Sequence, residues 1–232
     1  NAFKLGVLRM EELAQAETLH WNLMRAIQRG IRTADFISED LREVEGLLRS
    51  QYLCNFSLFQ SAADSWAIGQ VLPVAPLTRL NEEPSRQCTI ADITCDSDGK
   101  INQFIGINGN SDNLPLHPLV PGENYYIGLF LTGAYQDVMG DMHNMFGRLN
   151  EAHIYCDPED PTGFYIEEFV PGATAGQVLN IMQYNTQSMA ARVKANVDAT
   201  VAKGGLRSRD GVTLVDFYEA CLASYTYLSY PH

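Results

Sequence analysis

Apolar residues near the start of the chain recur at helical spacing. Steps of three, four or seven residues place them on one stripe of a helix over residues 9–30. The stripe consists of Met10, Leu13, His20, Met24, Ile27 and Ile31. Ser38, followed by two acidic residues, is typical of a helix N-cap, and a second apolar face continues from it to Tyr52. Because the connection is short, we expect an antiparallel helical hairpin.

After residue 52 the apolar segments become short and are separated by turn residues, which is the pattern of strands. Asp98-Gly99 between two such segments predicts a tight hairpin, since this dipeptide tolerates positive φ angles. The predicted strands are residues 53–60, 66–74, 87–94, 101–105, 125–131, 152–156 and 163–170. Many short strands of this kind favour an antiparallel β-barrel or sandwich.

Helical spacing returns in the last quarter of the chain. Thr174 and Gln177 have the spacing of a capping box, and Val193, Val197 and Val201 step by four residues. A final helix is expected to carry five residues on one side and to place the Cys221 thiol in the core: Leu214, Phe217, Cys221, Tyr225 and Leu228. The sequence therefore predicts an α+β protein with an N-terminal helical segment (1–52), a β domain (53–172) and a C-terminal helical extension (173–232).

Composition and charge narrow the classes of partner. The 232 residues are 46% hydrophobic, enough for a sizeable core, and the formal charge of −12 opposes binding to nucleic acid or to anionic membranes. No apolar run approaches the ~20 residues that span a bilayer. Five scattered cysteines without a C-x-x-C pair indicate reduced thiols and a cytoplasmic protein. The first residue is Asn1, from which we expect a piece of a longer polypeptide.

Residues 91–100 combine a predicted strand end with acids and one thiol. Cys95 and Asp96 would leave the sheet there and could reach a ligand, although a solvated turn explains the same pattern. A calcium loop is excluded, because Thr94 and Ile105 occupy its first and last ligand positions. The glycine-rich residues 133–147 predict a helical turn, as a simple connector or as a place of close backbone approach.

Several long blocks of residues follow one another in a fixed order between about residue 52 and residue 228. They are CNFSLFQS at 54–61, DxWAI at 64–68, DITCDSDG at 92–99, GAYQ at 133–136, HNxFG at 143–147 and YTYL at 225–228. Together these blocks resemble the C-terminal half of the biosynthetic arginine decarboxylases, and the resemblance is specific because the blocks are long and keep their order.

The resemblance implies a pyridoxal-phosphate enzyme with an α/β barrel that holds the cofactor and a β domain that completes the site across a dimer interface. In that family a helical bundle is inserted between the two domains, and further helices follow the β domain. This chain corresponds to the insert, the β domain and the C-terminal helices, and lacks the α/β barrel. None of Lys4, Lys100, Lys194 and Lys203 lies in a motif for the lysine that binds the cofactor. Magnesium occurs in the family, but we identify no magnesium site.

By resemblance, Cys95 is the catalytic thiol that protonates the substrate carbon after carbon dioxide leaves. Asp96 and Asp98 would bind the substrate cation, with His143 and Phe59 lining the pocket. Tyr135 and Asn144 would contact the cofactor. These further positions are all present in the chain. Gly69 departs from the pattern of many bacterial members, which have an acid there, and agrees with plant-type members, which have glycine. Either another acid such as Asp96 or Asp98 supplies the charge, or the choice of substrate is altered.

The resemblance thus implies the C-terminal part of a lyase that converts L-arginine to agmatine in polyamine and spermidine biosynthesis, as a homo-oligomer built from dimers. The isolated chain is expected to be inactive. Two alternatives stay open from the sequence: a non-catalytic assembly or regulatory domain derived from the same fold, and a thiol hydrolase that uses Cys95 with His143.

Overall fold

The computed structural model describes residues 2–31, 48–106 and 109–229. Helices lie near both ends of the chain, and short helical segments lie between them. They are α1 (Met10–Ile31), α2 (Leu58–Ser61), α3 (Ala63–Ala67), α4 (Tyr135–Met139), a 3₁₀ turn (His143–Met145), α5 (Ala175–Ile181), α6 (Thr186–Ala202) and α7 (Ser208–Ala223). Within the described ranges no helix is long and apolar enough to cross a bilayer.

The strands are short and fall between α1 and α5. They are β1 (Ser50–Leu53), β2 (Val74–Pro76), β3 (Arg86–Ala91), β4 (Lys100–Ile101), β5 (Phe104–Gly106), β6 (Gly109–Ser111), β7 (Leu114–Leu116), β8 (Ile127–Leu129), β9 (Glu151–Cys156) and β10 (Phe164–Val170). Strand β3 is central: it pairs in parallel with β1 and antiparallel with β4 and β7. The pairs β2–β8, β5–β6 and β9–β10 form three separate antiparallel ribbons.

The core lies between the β3 sheet and α2. Ile90 is fully buried and pairs with Tyr52 on one side and Ile101 on the other. Leu58 from α2 and Phe104 belong to the same apolar cluster. Burial of these side chains holds α2 against the end of β3, where the predicted site begins.

Most predicted elements are confirmed, including the α+β class. The first helix, the β9–β10 hairpin and the capping box at Thr174 all form. β3 and β4 also pair antiparallel, but the predicted tight turn at Asp98-Gly99 is wrong: β3 ends at Ala91, residues 92–99 form the connection, and Gly99 has no positive φ angle. The second helix of the predicted N-terminal hairpin lies mainly outside the described residues. Its predicted last position, Tyr52, belongs to β1 instead, because the Tyr52 backbone pairs with Ile90.

The strands predicted over residues 53–60 and most of 66–74 are wrong. Two short helices cover residues 58–61 and 63–67, and residues 68–73 are neither helix nor strand. The Ser57 side chain accepts the Gln60 N–H as the N-cap of α2, and the small buried side chains of Ala62 and Ala63 let α2 and α3 pack closely. The described strands also form no closed barrel, and β1 is parallel to β3 rather than antiparallel.

The prediction of a buried Cys221 is also wrong. Its thiol is exposed, and Phe217 on the same helix is 68% exposed. Helix α7 ends at Ala223, so Tyr225 and Leu228 lie beyond it, in an extended tail. The apolar periodicity located the helix but could not show which side its neighbours cover.

Candidate functional site

The Cys95 turn leaves the sheet directly after β3. Cys95 is exposed, and Asp96 beside it is partly exposed. The turn is closed locally, since Asp96 Oδ1 accepts the Asp98 N–H at 2.9 Å and the Asp96 carbonyl accepts the Gly99 N–H at 3.2 Å. The thiol and one carboxylate are therefore presented to solvent on a fixed backbone.

A second turn, residues 143–145, faces the first. Asn144 and Met145 have φ angles of 54° and 64°, in the left-handed region that Asn tolerates better than most residues. The Asn144 Nδ2–H group donates to Cys95 Sγ at 3.2 Å, and His143 Nε2 lies 3.4 Å from Asp96 Oδ2. The neighbouring side chains of His143 and Asn144 thus contact the neighbouring side chains of Asp96 and Cys95, respectively.

Helix α2 supports this arrangement from below. The Phe59 ring lies 4.4 Å, centroid to centroid, from the His143 ring and 5.1 Å from Trp66. The Phe59 carbonyl also accepts the Asp141 N–H at 2.9 Å. Because Phe59 is only 3% exposed, it offers little surface to a ligand.

The structure brings Cys95, Asp96, His143, Asn144 and Phe59 into one cluster, which we call the Cys95 cluster. Asp98 contributes its backbone N–H, while its side chain is exposed. Tyr135, at the first turn of α4, is 76% exposed, and its hydroxyl makes no hydrogen bond within the described residues. Gly69 has a φ of 69°, and a Cβ atom added there would meet none of the described residues within 4 Å.

Two buried polar side chains support the cluster, and neither was predicted from the sequence. Asp92 is 2% exposed and accepts the N–H groups of Leu58 and Thr94. Gln136, 5% exposed, exchanges hydrogen bonds with Asp64 and so ties α4 to α3. Both residues lie inside the motifs quoted above, but nothing in their spacing indicates burial.

The C-terminal tail holds the other end of the 143–147 segment. Tyr227 O–H donates to the Gly147 carbonyl at 2.8 Å, and Thr226 Oγ1 accepts the Gly147 N–H at 2.9 Å. Asn55 exchanges two hydrogen bonds with the Leu228 backbone. Burial raises the pKa of the Tyr227 hydroxyl well above its ordinary value, which keeps it a neutral donor. The tail thus locks the helical extension to the site.

The geometry does not favour a thiol hydrolase. In such enzymes a histidine must contact the thiol to remove its proton. Here the hydrogen-bond partner of Cys95 Sγ is the Asn144 amide, and the His143 ring is directed to Asp96. In the described part of the chain, no group of three or more His, Cys, Asp or Glu side chains could hold a metal ion.

The chain is similar to known proteins over nearly all of its length. Residues 175–228 match the family domain described as the arginine decarboxylase C-terminal helical extension, and residues 1–45 match the arginine decarboxylase helical bundle domain. The chain is 42% identical to the biosynthetic arginine decarboxylase of Gloeobacter violaceus over 99% of its own length and 36% of that relative. The corresponding values for the Deinococcus radiodurans enzyme are 41%, 99% and 34%.

The fold is also shared with a solved structure. The crystal structure of the biosynthetic arginine decarboxylase from Campylobacter jejuni superposes with a TM-score of 0.76 at 29% identity, covering 99% of this chain and 35% of that one. The chain thus spans about a third of the length of the relatives it matches. These matches, which extend over nearly every residue of the chain, show that it belongs to the biosynthetic arginine decarboxylase family.

Proposed function

We propose that this chain supplies the proton-donating half of the active site in a pyridoxal-phosphate-dependent arginine decarboxylase of the cytoplasm, which converts L-arginine to agmatine and carbon dioxide for polyamine synthesis. The observation that carries the proposal is the contact between Asn144 and Cys95, beside the Asp96–His143 pair. An exposed thiol with a neutral donor on its sulfur and an adjacent carboxylate suits this reaction.

Cys95 acts as the general acid. When the bond between the α-carbon and the carboxylate breaks, the electron pair left on carbon takes the thiol proton, a C–H bond forms, and sulfur keeps the pair of the broken S–H bond. The Asn144 Nδ2–H group, already 3.2 Å from Sγ, stabilises the resulting thiolate. The chain thereby provides the proton and also stabilises the thiolate that is left on Cys95.

Asp96 is suited to the guanidinium of the substrate. Its carboxylate is oriented by the Asp98 N–H and stays partly open to solvent. A carboxylate can bind a guanidinium through two parallel hydrogen bonds, which selects arginine over shorter amines by geometry as well as charge. Phe59 fixes the His143 ring at the edge of the same carboxylate.

The residues present fit one edge of pyridoxal phosphate. The Tyr135 hydroxyl is exposed and would donate to a phosphate oxygen, and the Asn144 amide would be its second contact from this chain. No described lysine makes a hydrogen bond or ion pair with the Cys95 cluster; Lys194, for example, is paired with Asp198 at 2.9 Å. When bound, the cofactor supplies the electron sink for loss of carbon dioxide.

The rest of the site therefore comes from elsewhere. We propose that a cofactor-bearing α/β barrel, in the part of the relatives that this chain does not span, faces the Cys95 cluster across the interface of a homodimer. Larger oligomers would be assembled from such dimers. The chain alone is then inactive, because it has no lysine placed to hold the cofactor.

The test is turnover of the complete enzyme, measured as agmatine and carbon dioxide released from arginine. Cys95→Ala should lower kcat by about 10²- to 10⁴-fold or divert the proton to another carbon, which changes the products. Cys221→Ala is the matched control, since Cys221 is equally exposed but lies on α7. Wild-type kcat and product composition in the Cys95 variant would refute the role.

A further inference from the structure

Asp92 is a buried carboxylate with an unusual set of partners. Its Oδ2 accepts the Leu58 N–H at 2.8 Å, and its Oδ1 accepts the Thr94 N–H at 3.0 Å and the Thr94 hydroxyl at 2.7 Å. Its own N–H donates to the Gly99 carbonyl at 2.8 Å. The Asp92 side chain therefore joins the start of α2 to the first part of the Cys95 turn, and the Asp92 backbone holds the end of that turn at Gly99.

The space around the carboxylate is filled. A Cβ atom on Gly99 would lie 2.1 Å from Asp92 Oδ1, so only glycine allows the turn to close over it. Among the described residues, Asp92 makes no ion pair, and its neighbours are N–H and O–H donors. A buried carboxylate without a cation is costly, and an apolar side chain would fill the volume more cheaply.

The two segments that Asp92 joins are those that carry the site. Leu58 precedes Phe59, which contacts His143, and Thr94 precedes Cys95, which contacts Asn144. The 143–145 turn is therefore touched on one side through α2 and on the other through the thiol. A change in the distance between Leu58 and Thr94 would move these two contacts apart.

We propose that Asp92 is the positioning residue of the Cys95 cluster: its two oxygens set the separation of Phe59 and Cys95 so that the sulfur meets the Asn144 amide. The catalytic consequence rests on the proposed function, whereas the position of the thiol does not. Displacement of a reacting group by about 1 Å can cost about 10²-fold in rate.

The experiment compares four variants of the complete enzyme. Asp92→Asn keeps the shape but turns one oxygen into an NH₂ group that faces a donor. Thr94→Val removes the hydroxyl donor at nearly constant volume, and Thr94→Ser restores it. Asp198→Asn makes the same chemical change as the first variant at an exposed ion pair on α6.

Two quantities are measured: kcat and KM for arginine, and the rate of iodoacetamide alkylation of Cys95 relative to Cys221, by peptide mass spectrometry. Asp92→Asn should lower kcat about tenfold or more with KM within about twofold, because the acid is misplaced while Asp96 is retained. The alkylation ratio should fall about threefold or more, since the thiolate loses its N–H donor. Thr94→Val should shift both values less, and the other two variants should match the wild type.

The proposal is overturned if folded Asp92→Asn retains the wild-type kcat and alkylation ratio, or if KM alone changes. Should Asp92→Asn fail to fold, the comparison of Thr94→Val with Thr94→Ser decides, and equal behaviour of these two rejects the proposal. Absence of arginine turnover in the wild-type enzyme refutes the proposed function instead, and the alkylation ratios still decide the role of Asp92.

Discussion

The side-chain amide of Asn144 donates to the sulfur of Cys95 across 3.2 Å, and this contact joins two turns that are 49 residues apart in the chain. Asn144 combines two properties at this position. Its backbone tolerates a φ of 54°, and its side chain supplies a neutral donor. Among the residue types that tolerate this backbone, glycine has no side-chain donor and aspartate carries acceptors instead.

Asn144→Gly separates the two properties, because it keeps the backbone and removes the donor. We expect kcat for arginine in the complete enzyme to fall about 10- to 100-fold, the value of a hydrogen bond to a charged group, with little change in melting temperature. Met145→Gly is the control, since Met145 also has a positive φ angle but does not belong to the Cys95 cluster. Equal kcat values for both variants would show that the donor is not used.

Phe59 should act through His143 rather than by touching substrate. Phe59→Leu is expected to raise KM for arginine a few-fold, because the imidazole beside Asp96 loses the ring that holds it. Phe104→Leu removes an equally buried ring in the core away from the cluster. Both changes should cost about 1–1.5 kcal/mol of stability, and only the first should change KM. A KM shift in both would mean that general loosening is the cause.

Glycine should be required at position 99. Gly99→Ala forces a methyl group onto the buried Asp92 carboxylate and should destabilise the protein by about 1–3 kcal/mol. Thermal unfolding of the wild type and the variant measures the difference, and a neutral Gly99→Ala would contradict the close packing.

The five cysteines should separate into two classes on alkylation. Cys95, Cys156 and Cys221 are exposed, whereas Cys88 is buried and Cys54 is half-buried. Burial raises the pKa of the Cys54 thiol to about 11, two units above its usual value of 9.0. At pH 8 its thiolate fraction is then about a hundredfold lower, so iodoacetamide should label it far more slowly than Cys221.

The pH dependence of the Cys54 alkylation rate should show that its pKa is raised rather than lowered. Because the folded-state pKa is raised, Cys54 stays protonated through pH 9 and 10, and its alkylation rate should keep rising up to about pH 11. Peptide mass spectrometry after timed labelling in the folded enzyme provides the rates. A Cys54 rate that levels off near pH 9 would mean that the thiol is hydrated rather than buried.

Residues 53–74 are the segment in which the structure differs most from the strands predicted from the sequence. Their aromatic and apolar composition favoured strands, yet α2 and α3 form, because the Asp92 carboxylate accepts the N–H at the start of α2 and Ser57 caps it. Ser57 directly precedes the helix, but Asp92 lies 34 residues from Leu58 in the sequence. Tertiary contacts of this kind override the propensity of short segments.

The linear chain was enough to predict the first helix, the capping box at Thr174 and, through its ordered motifs, the residues of the Cys95 cluster. These predictions need only spacing and local capping chemistry. Three outcomes became visible only in the folded chain: Asn144 rather than His143 meets the thiol, Phe59 is buried beneath His143, and Cys221 is exposed. Such outcomes depend on which distant segments pack together, and burial and hydrogen-bond partners exist only once those segments meet.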